Sequence, residues 1–156
     1  MSKGVSTAGM KLGYAVAASA SLPTSATFTK IPEVKTMPNF NPAPSGIDIT
    51  PLDEMESKQY TPDLKDLGGV LEFGANLTNE LTTLWNDTVL TAYGSMSSTS
   101  AMWFCVSHPK LTKAVYFQGE PVALGLNEAS VGSAAETTLY IAPKSAPTMG
   151  TKPASF

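Results

Sequence analysis

The stretch Gly69-Val70-Leu71-Glu72-Phe73-Gly74-Ala75-Asn76-Leu77 decides the fold class of this chain. From Leu71 onward, every second position is apolar, and small or polar residues fill the positions between. This period of two is typical of a β-strand with one buried face. The predicted buried face comprises Leu71, Phe73, Ala75 and Leu77, and the opposite face comprises Glu72, Gly74 and Asn76.

A helix is predicted directly after this strand, over residues 79–92. Thr78 or Asn79 can cap its first turn, Glu80 suits the positive end of the helix dipole, and Gly94 lies just past its end. One stripe at helical spacing is mostly apolar, which indicates a helix that packs on the sheet. That stripe comprises Leu81, Leu84, Trp85, Thr88 and Ala92.

Short strands are predicted on both sides of this strand–helix pair. They cover residues 12–18, 26–34, 101–106, 114–117, 122–124 and 137–142, with a turn at Gln118-Gly119-Glu120. The pattern predicts an α+β domain that is mainly β, a sandwich or barrel of short antiparallel strands with one flanking helix. We expect one domain over residues 1–142 and a flexible C-terminal arm over 143–156.

Residues 35–68 differ in texture from the rest of the chain. They contain five prolines and a cluster of carboxylates, with Ser45-Gly46 and Leu67-Gly68-Gly69 as turn signals. A connection of this length is well beyond the usual loop, and such loops tend to be functional or mobile. We therefore expect residues 35–68 to become ordered when the protein assembles.

The composition argues against nucleic-acid recognition and favours self-association. Charged residues make up only 15% of the chain, the net charge is −3, and all ten basic residues are lysines. Without arginine there is no bidentate fork for phosphate or guanine, and the lysines are scattered along the sequence. A low density of charge is typical of a surface that is covered by other protein.

Residues for catalysis or metal binding are few. His108 is the only histidine and precedes Pro109, which is typical of a polar turn residue, and Cys105 lies in an apolar stretch that predicts a buried, inert thiol. The acidic cluster lacks the spacing of a calcium loop. The sequence thus predicts no catalytic, metal or cofactor site. With neither a signal peptide nor a membrane-spanning stretch, we expect synthesis and folding in the cytoplasm.

Several motifs in order resemble the major tail tube proteins of long-tailed bacteriophages of the siphophage type. A strand that ends in Ile31-Pro32 leads to the segment Ile47-Asp48-Ile49-Thr50-Pro51-Leu52-Asp53. The turn Leu64-Lys65-Asp66-Leu67-Gly68 and the strand with Leu71-Glu72-Phe73 follow. The stretch 123–141 is similar to the family's closing hairpin, and the resemblance covers about residues 10–145.

The resemblance implies a non-enzymatic structural subunit. Six copies would close a ring, and stacked rings would form the tail tube through which phage DNA leaves without specific binding. It implies assembly in the host cytoplasm, localisation in the virion, and contacts with a tape-measure protein, a tail terminator and tail tip proteins. The long loop would reach the neighbouring ring; its candidate contact residues are Asp48, Thr50, Asp53, Tyr60 and Asp66.

Two questions stay open at the level of the sequence. The polar face of the strand, with Glu72 and Asn76, would line the tube if that strand faces the lumen, or lie outside or at a subunit contact if it does not. The competing function is a β-sandwich module that binds carbohydrate or a receptor on a virion or cell surface. Its candidate stacking residues are Trp85, Tyr93, Trp103 and Tyr116.

Overall fold

The fold is described by a computed structural model for residues 4–64, 66–153 and 156. These residues form ten strands and one helix. The strands are β1 (Lys11–Ala18), β2 (Thr29–Lys30), β3 (Val34–Thr36), β4 (Gly46–Asp48), β5 (Tyr60–Pro62), β6 (Leu71–Asn76), β7 (Ser100–Ser107), β8 (Lys113–Pro121), β9 (Glu136–Pro143) and β10 (Thr148–Thr151). The helix α1 comprises Asn79–Thr82, Thr83–Val89 and Leu90–Gly94. No helix among the described residues is both long enough and apolar enough to cross a membrane.

Eight strands form one antiparallel sheet in the order β2-β1-β7-β8-β9-β6-β3, with β10 also on β8. The long strand β8 connects the half of the sheet with β2, β1 and β7 to the half with β9, β6 and β3. On one edge it pairs with β7 around Phe117. On the other edge its first part pairs with β10 and its last part pairs with β9. The predicted class, α+β and mainly β with one helix, is confirmed.

Aromatic rings connect the two halves of the sheet and the helix. Phe73 of β6 stacks on Phe117 of β8, with centroids 6.5 Å apart, and Phe117 stacks on Phe104 of β7 at 5.5 Å. The Trp85 ring from α1 lies 6.3 Å from Phe104. All four side chains are buried, and each contributes a large apolar area to the core.

The other face of β7 is buried as well. Trp103, Cys105 and Tyr116 form a second cluster with Ala15 and Phe28. A strand with both faces covered is apolar throughout, which explains the unbroken run Met102–Val106 in a sheet that alternates elsewhere.

The C-terminal residues belong partly to this second cluster. Thr148–Thr151 form β10 on β8, and the Phe156 ring packs edge-on against Phe28 at 5.9 Å. The Phe156 ring also occupies the space that a side chain at Gly13 would need. The described part of the predicted flexible arm over 143–156 thus contains a paired strand, and the flexibility of the arm stays a prediction. Pairing with a distant strand, which no local pattern reveals, makes Thr148–Thr151 a strand.

Helix α1 covers the predicted span and extends two residues further. Thr78 caps it by accepting a hydrogen bond from the Leu81 N–H at 3.2 Å. Its middle segment is π-helical, so the buried side chains recur at every fourth position, at Leu81, Trp85 and Val89. Thr88, predicted on the buried stripe, is exposed because the wider π turn moves Val89 inward instead.

Three local predictions were wrong. The stretch 26–34 forms only β2 and the start of β3, which are separated by Glu33 with a φ of 65°. Residues 118–120 continue β8. Gly119 lies in this strand because the packed core leaves no room for a side chain beside Ile141 and Phe104, and not because the chain turns there. Residues 122–124, predicted as a strand, are irregular.

The chain divides into two compact units. The main unit contains the described residues up to Pro38 and from Val70 onward, and Asn39–Gly69 form the second unit. We call this second unit the hairpin unit, because β4 and β5 pair within it as a two-stranded antiparallel sheet. The long loop predicted at 35–68 therefore contains regular structure of its own.

Candidate assembly surfaces

Thr50 organises the end of the β4–β5 hairpin. Its hydroxyl accepts a hydrogen bond of 2.7 Å from the Gln59 N–H, and the Ile49 N–H donates to the Gln59 oxygen at 2.9 Å. Asp48 Oδ1 accepts from the Thr50 N–H at 3.0 Å. Short polar side chains of this kind satisfy backbone groups where a ladder ends. These bonds therefore fix the two ends of the loop of residues 51–58.

The remaining candidate contact residues of this unit lie on its surface. Tyr60 is opposite Asp48 in the hairpin register, and its ring contacts Gly46. Asp53 is exposed, and Asp66 Oδ1 accepts from the Gly68 N–H at 2.8 Å in a turn where Gly68 has a φ of 81°. The structure thus brings Asp48, Thr50 and Tyr60 together at the hairpin, whereas Asp66 belongs to the turn that leaves it.

Two carboxylates of the hairpin unit, Asp48 and Glu54, favour their charged forms. The Thr50 hydroxyl and then the Thr50 N–H lower the pKa of Asp48. The backbone N–H groups of Glu56 and Ser57 lower the pKa of Glu54. Hydrogen bonds to the ionised carboxylate favour that form, so this surface stays negative at neutral pH.

The same unit exposes large apolar side chains. A small unit that buries so little of its apolar area has the composition of an interaction surface. These side chains belong to Ile47, Ile49, Leu52, Met55, Tyr60 and Leu64.

The predicted alternation of β6 is confirmed. Leu71, Phe73 and Ala75 are buried, and Glu72 between them is exposed. Asn76 is half-buried, and its side-chain amide donates to Glu33 Oε2 at 3.2 Å. Glu72 therefore presents its carboxylate on the exposed face of β6 and forms no ion pair within the described part of the chain, while Asn76 bonds to the bend before β3.

A surface that the sequence did not indicate lies in the irregular segment 122–135. Three bonds hold its first part: Trp85 Nε1 donates to the Val122 oxygen at 2.7 Å, Asn86 Oδ1 accepts from the Leu124 N–H at 3.2 Å, and the Thr137 hydroxyl donates to the Gly125 oxygen at 2.7 Å. The segment exposes the apolar side chains of Val122, Leu126 and Val131. The partners of its backbone are distant in sequence, so no local signal could have identified it.

The cysteine and histidine side chains, which could take part in catalysis or metal binding, are buried and have structural roles. Cys105 is fully buried, which raises its pKa to about 12, as expected of an inert thiol. His108, predicted to be a turn residue, is buried: Nε2 lies 2.6 Å from the Ser6 oxygen, and Nδ1 accepts from the Lys110 N–H at 3.0 Å. No group of three or more metal-ligating side chains occurs among the described residues.

The aromatic residues of the competing carbohydrate-binding hypothesis do not form a surface. Trp85, Trp103 and Tyr116 are buried, and only Tyr93 is partly exposed. The two indole N–H groups donate to backbone oxygens of Val122 and Ala18. These three rings are therefore unavailable for stacking on a sugar.

Comparison with known proteins identifies the fold. No family model and no curated protein matches the chain. Nine chains of solved structures match. One is a chain of the anti-feeding prophage baseplate, solved by cryo-electron microscopy with six-fold symmetry imposed. The match has a TM-score of 0.58 and 12% sequence identity, and it covers 97% of this chain and 98% of the other. The chain thus shares its fold, over almost its whole length, with a baseplate subunit.

Proposed function

We propose that this protein is a structural, non-enzymatic phage tail subunit that polymerises as stacked hexameric rings into a tail tube for genome ejection. The carrying observation is the fold match to a chain of a six-fold symmetrised phage-like baseplate, because it covers both chains almost completely. Because neither chain has an additional domain outside the match, this protein is suited to the same kind of assembly.

Two features of the chain support the finer proposal of a tube. The order of motifs across residues 31–73 and 123–141 is similar to that of siphophage tail tube proteins. The hairpin unit exposes apolar side chains, which suits a contact with a neighbouring ring. Tape-measure, terminator and tip proteins are the further partners that this function requires.

Electron microscopy of the purified protein tests the proposal. We expect rings with six-fold symmetry at moderate concentration and tubes as the concentration rises, without added metal or cofactor. Sedimentation should then show an assembly threshold. A protein that stays monomeric at all concentrations and ionic strengths, and that antibodies fail to locate in phage tails, would contradict the proposed function.

The carbohydrate- or receptor-binding module remains the second candidate in principle, but no observation favours it. Three of its four aromatic residues are buried. A glycan array with the assembled and the unassembled protein separates it from the tube, since a tube subunit should bind no glycan in either form.

A further inference from the structure

Four of the ten lysines, which are scattered in the sequence, lie at one end of the main sheet. Lys11 begins β1 opposite Ser107, and Lys113 begins β8 opposite Thr151. Two more lysines lie in the turn before β8 and directly after β10. We call this surface the basic end, defined as Lys11, Lys110, Lys113 and Lys152.

No Asp or Glu balances these lysines locally. The segments 4–11, 107–113 and 148–153, which form this end, contain no Asp or Glu. Among the described residues, ion pairs join only Lys35 to Glu136 and Lys144 to Glu120. The four lysines of the basic end therefore form no ion pair with a described Asp or Glu.

The basic end is also a built surface. The buried His108 ties the Ser6 oxygen to the turn, with contacts of 2.6 Å to that oxygen and 3.0 Å to the Lys110 N–H. Lys11 Nζ lies 3.2 Å from the Phe156 oxygen and 5.2 Å from the Phe156 ring centroid. Lys11 and Lys152 line one shallow cavity of about 160 Å³. Because strand ends and a buried side chain fix the backbone, the lysines project from defined positions.

The hairpin unit has the opposite character. Residues 39–69 contain six carboxylates and two lysines, a net charge of −4. Since the whole chain carries −3, the rest of the chain carries +1. The bonds to Asp48, Glu54, Asp63 and Asp66 come from neighbouring backbone N–H groups, and none of these carboxylates pairs with a described lysine. These carboxylates thus parallel the lysines of the basic end, which form no ion pair with a described Asp or Glu.

We propose that the basic end of one copy receives the acidic hairpin unit of a second copy. This inference rests on the proposed function, since it names the contact that joins the copies. Two basic ends repel each other, and so do two hairpin units, so charge disfavours a symmetric pair and favours a head-to-tail contact. A head-to-tail contact that does not close can repeat indefinitely, as the growth of a tube requires.

Reciprocal charge reversal tests this contact. Variant A carries Lys110→Glu, Lys113→Glu and Lys152→Glu, and variant B carries Asp53→Lys and Glu56→Lys. Lys11 and Asp48 stay unchanged because they make local contacts. Matched controls reverse exposed charges elsewhere in the main unit: Lys144→Glu, near the other end of β8, and Glu128→Lys.

Each variant alone should raise the assembly threshold at low salt by at least about tenfold. In variant A attraction becomes repulsion across the contact, and in variant B the attraction is lost because the two substitutions bring the net charge of the hairpin unit from −4 to zero. An equimolar mixture of A and B should assemble within about threefold of the unmodified protein, since the acidic hairpin unit of A meets the unchanged basic end of B, and the lysines introduced in B meet the glutamates introduced in A. The controls should assemble normally. Circular dichroism checks that each variant is folded, and the neutral set Lys110→Gln, Lys113→Gln and Lys152→Gln should lose most of the salt dependence.

Several outcomes would overturn the inference. Normal assembly of both variants shows that the contact lies elsewhere while the tube itself stands. Loss of assembly in A and B without rescue by mixing indicates that the hairpin unit engages its own chain. Loss in A alone, with binding of DNA by the unmodified basic end, assigns that end to nucleic acid.

The head-to-tail contact can be tested even if the proposed tube function fails. If the unmodified protein forms no tubes, light scattering of the A and B mixture at low salt still reports the contact. A complex that appears only in the mixture supports the head-to-tail contact without a tube. Its absence overturns both proposals.

Discussion

Trp85 Nε1 donates a hydrogen bond of 2.7 Å to the backbone oxygen of Val122. This bond joins the π-helical segment of α1 to the start of segment 122–135, where Asn86 adds a second bond to the Leu124 N–H. The shape of an exposed apolar segment thus depends on the packing of α1.

Replacing Trp85 by Phe should destabilise the protein by about 1–3 kcal/mol, because the bond and part of the buried ring are lost. Denaturant unfolding measures the change. The matched control is Trp103→Phe, which removes a similar indole bond of 3.1 Å to the Ala18 oxygen on the other face of β7. Only the Trp85 variant should shift the amide NMR signals of residues 122–126; equal shifts in both would show that the helix does not hold this segment.

Removal of the hairpin unit should separate folding from assembly. We expect a chain in which residues 39–69 are replaced by a short Gly/Ser linker to unfold cooperatively, because both aromatic clusters lie in the main unit. The same chain should form no tubes. Calorimetry and electron microscopy check the two halves of the prediction, and normal tubes from the shortened chain would refute the role of the hairpin unit.

Charge reversal at Glu72 tests whether β6 lines the tube. If the exposed face of β6 faces the lumen, tubes of the Glu72→Lys variant should retain double-stranded DNA in sedimentation, and retention should fall as salt rises. Tubes of the unmodified protein and of Glu72→Gln should retain none. Intact tubes that ignore DNA would place Glu72 on the outside, and failure to assemble would place it at a subunit contact.

The acid sensitivity of the hairpin unit should follow Asp48. The folded-state pKa of Asp48 lies below its ordinary value of 3.8, so the stabilisation is present above that value and is lost as pH falls through the folded-state pKa. Thr50→Val removes the larger cause of the shift and should raise the pKa of Asp48 toward 3.8. An NMR titration of the residue 50 amide measures this, with Thr24→Val as the control; an unchanged midpoint would contradict the assignment.

Cys105 should be inert in the folded protein. With a pKa of about 12 and no exposed surface, its thiol is neutral at pH 8 and shielded from reagents. Ellman's reagent should react only after denaturant is added, and the native rate should be slower by at least about a hundredfold. Rapid native labelling would show that β7 opens far more readily than its double burial implies.

Local chemistry determined part of this structure from the sequence alone. The alternation at Leu71–Asn76 defined a half-buried strand, and Thr78 began the helix because its hydroxyl satisfies a free N–H group. The apolar surroundings of Cys105 indicated burial. Each of these properties depends on residues within a few positions of one another.

Only the tertiary structure decided the rest, since the causes join residues that are distant in sequence. Position 119 in β8 is a glycine because Ile141 occupies the space that a side chain would need. Thr148–Thr151 form a strand because they pair with an edge of β8. The π turn moves Val89 inward and Thr88 outward. The basic end exists only because strand pairing brings together lysines from positions 11 to 152, and charge acts through space rather than along the chain.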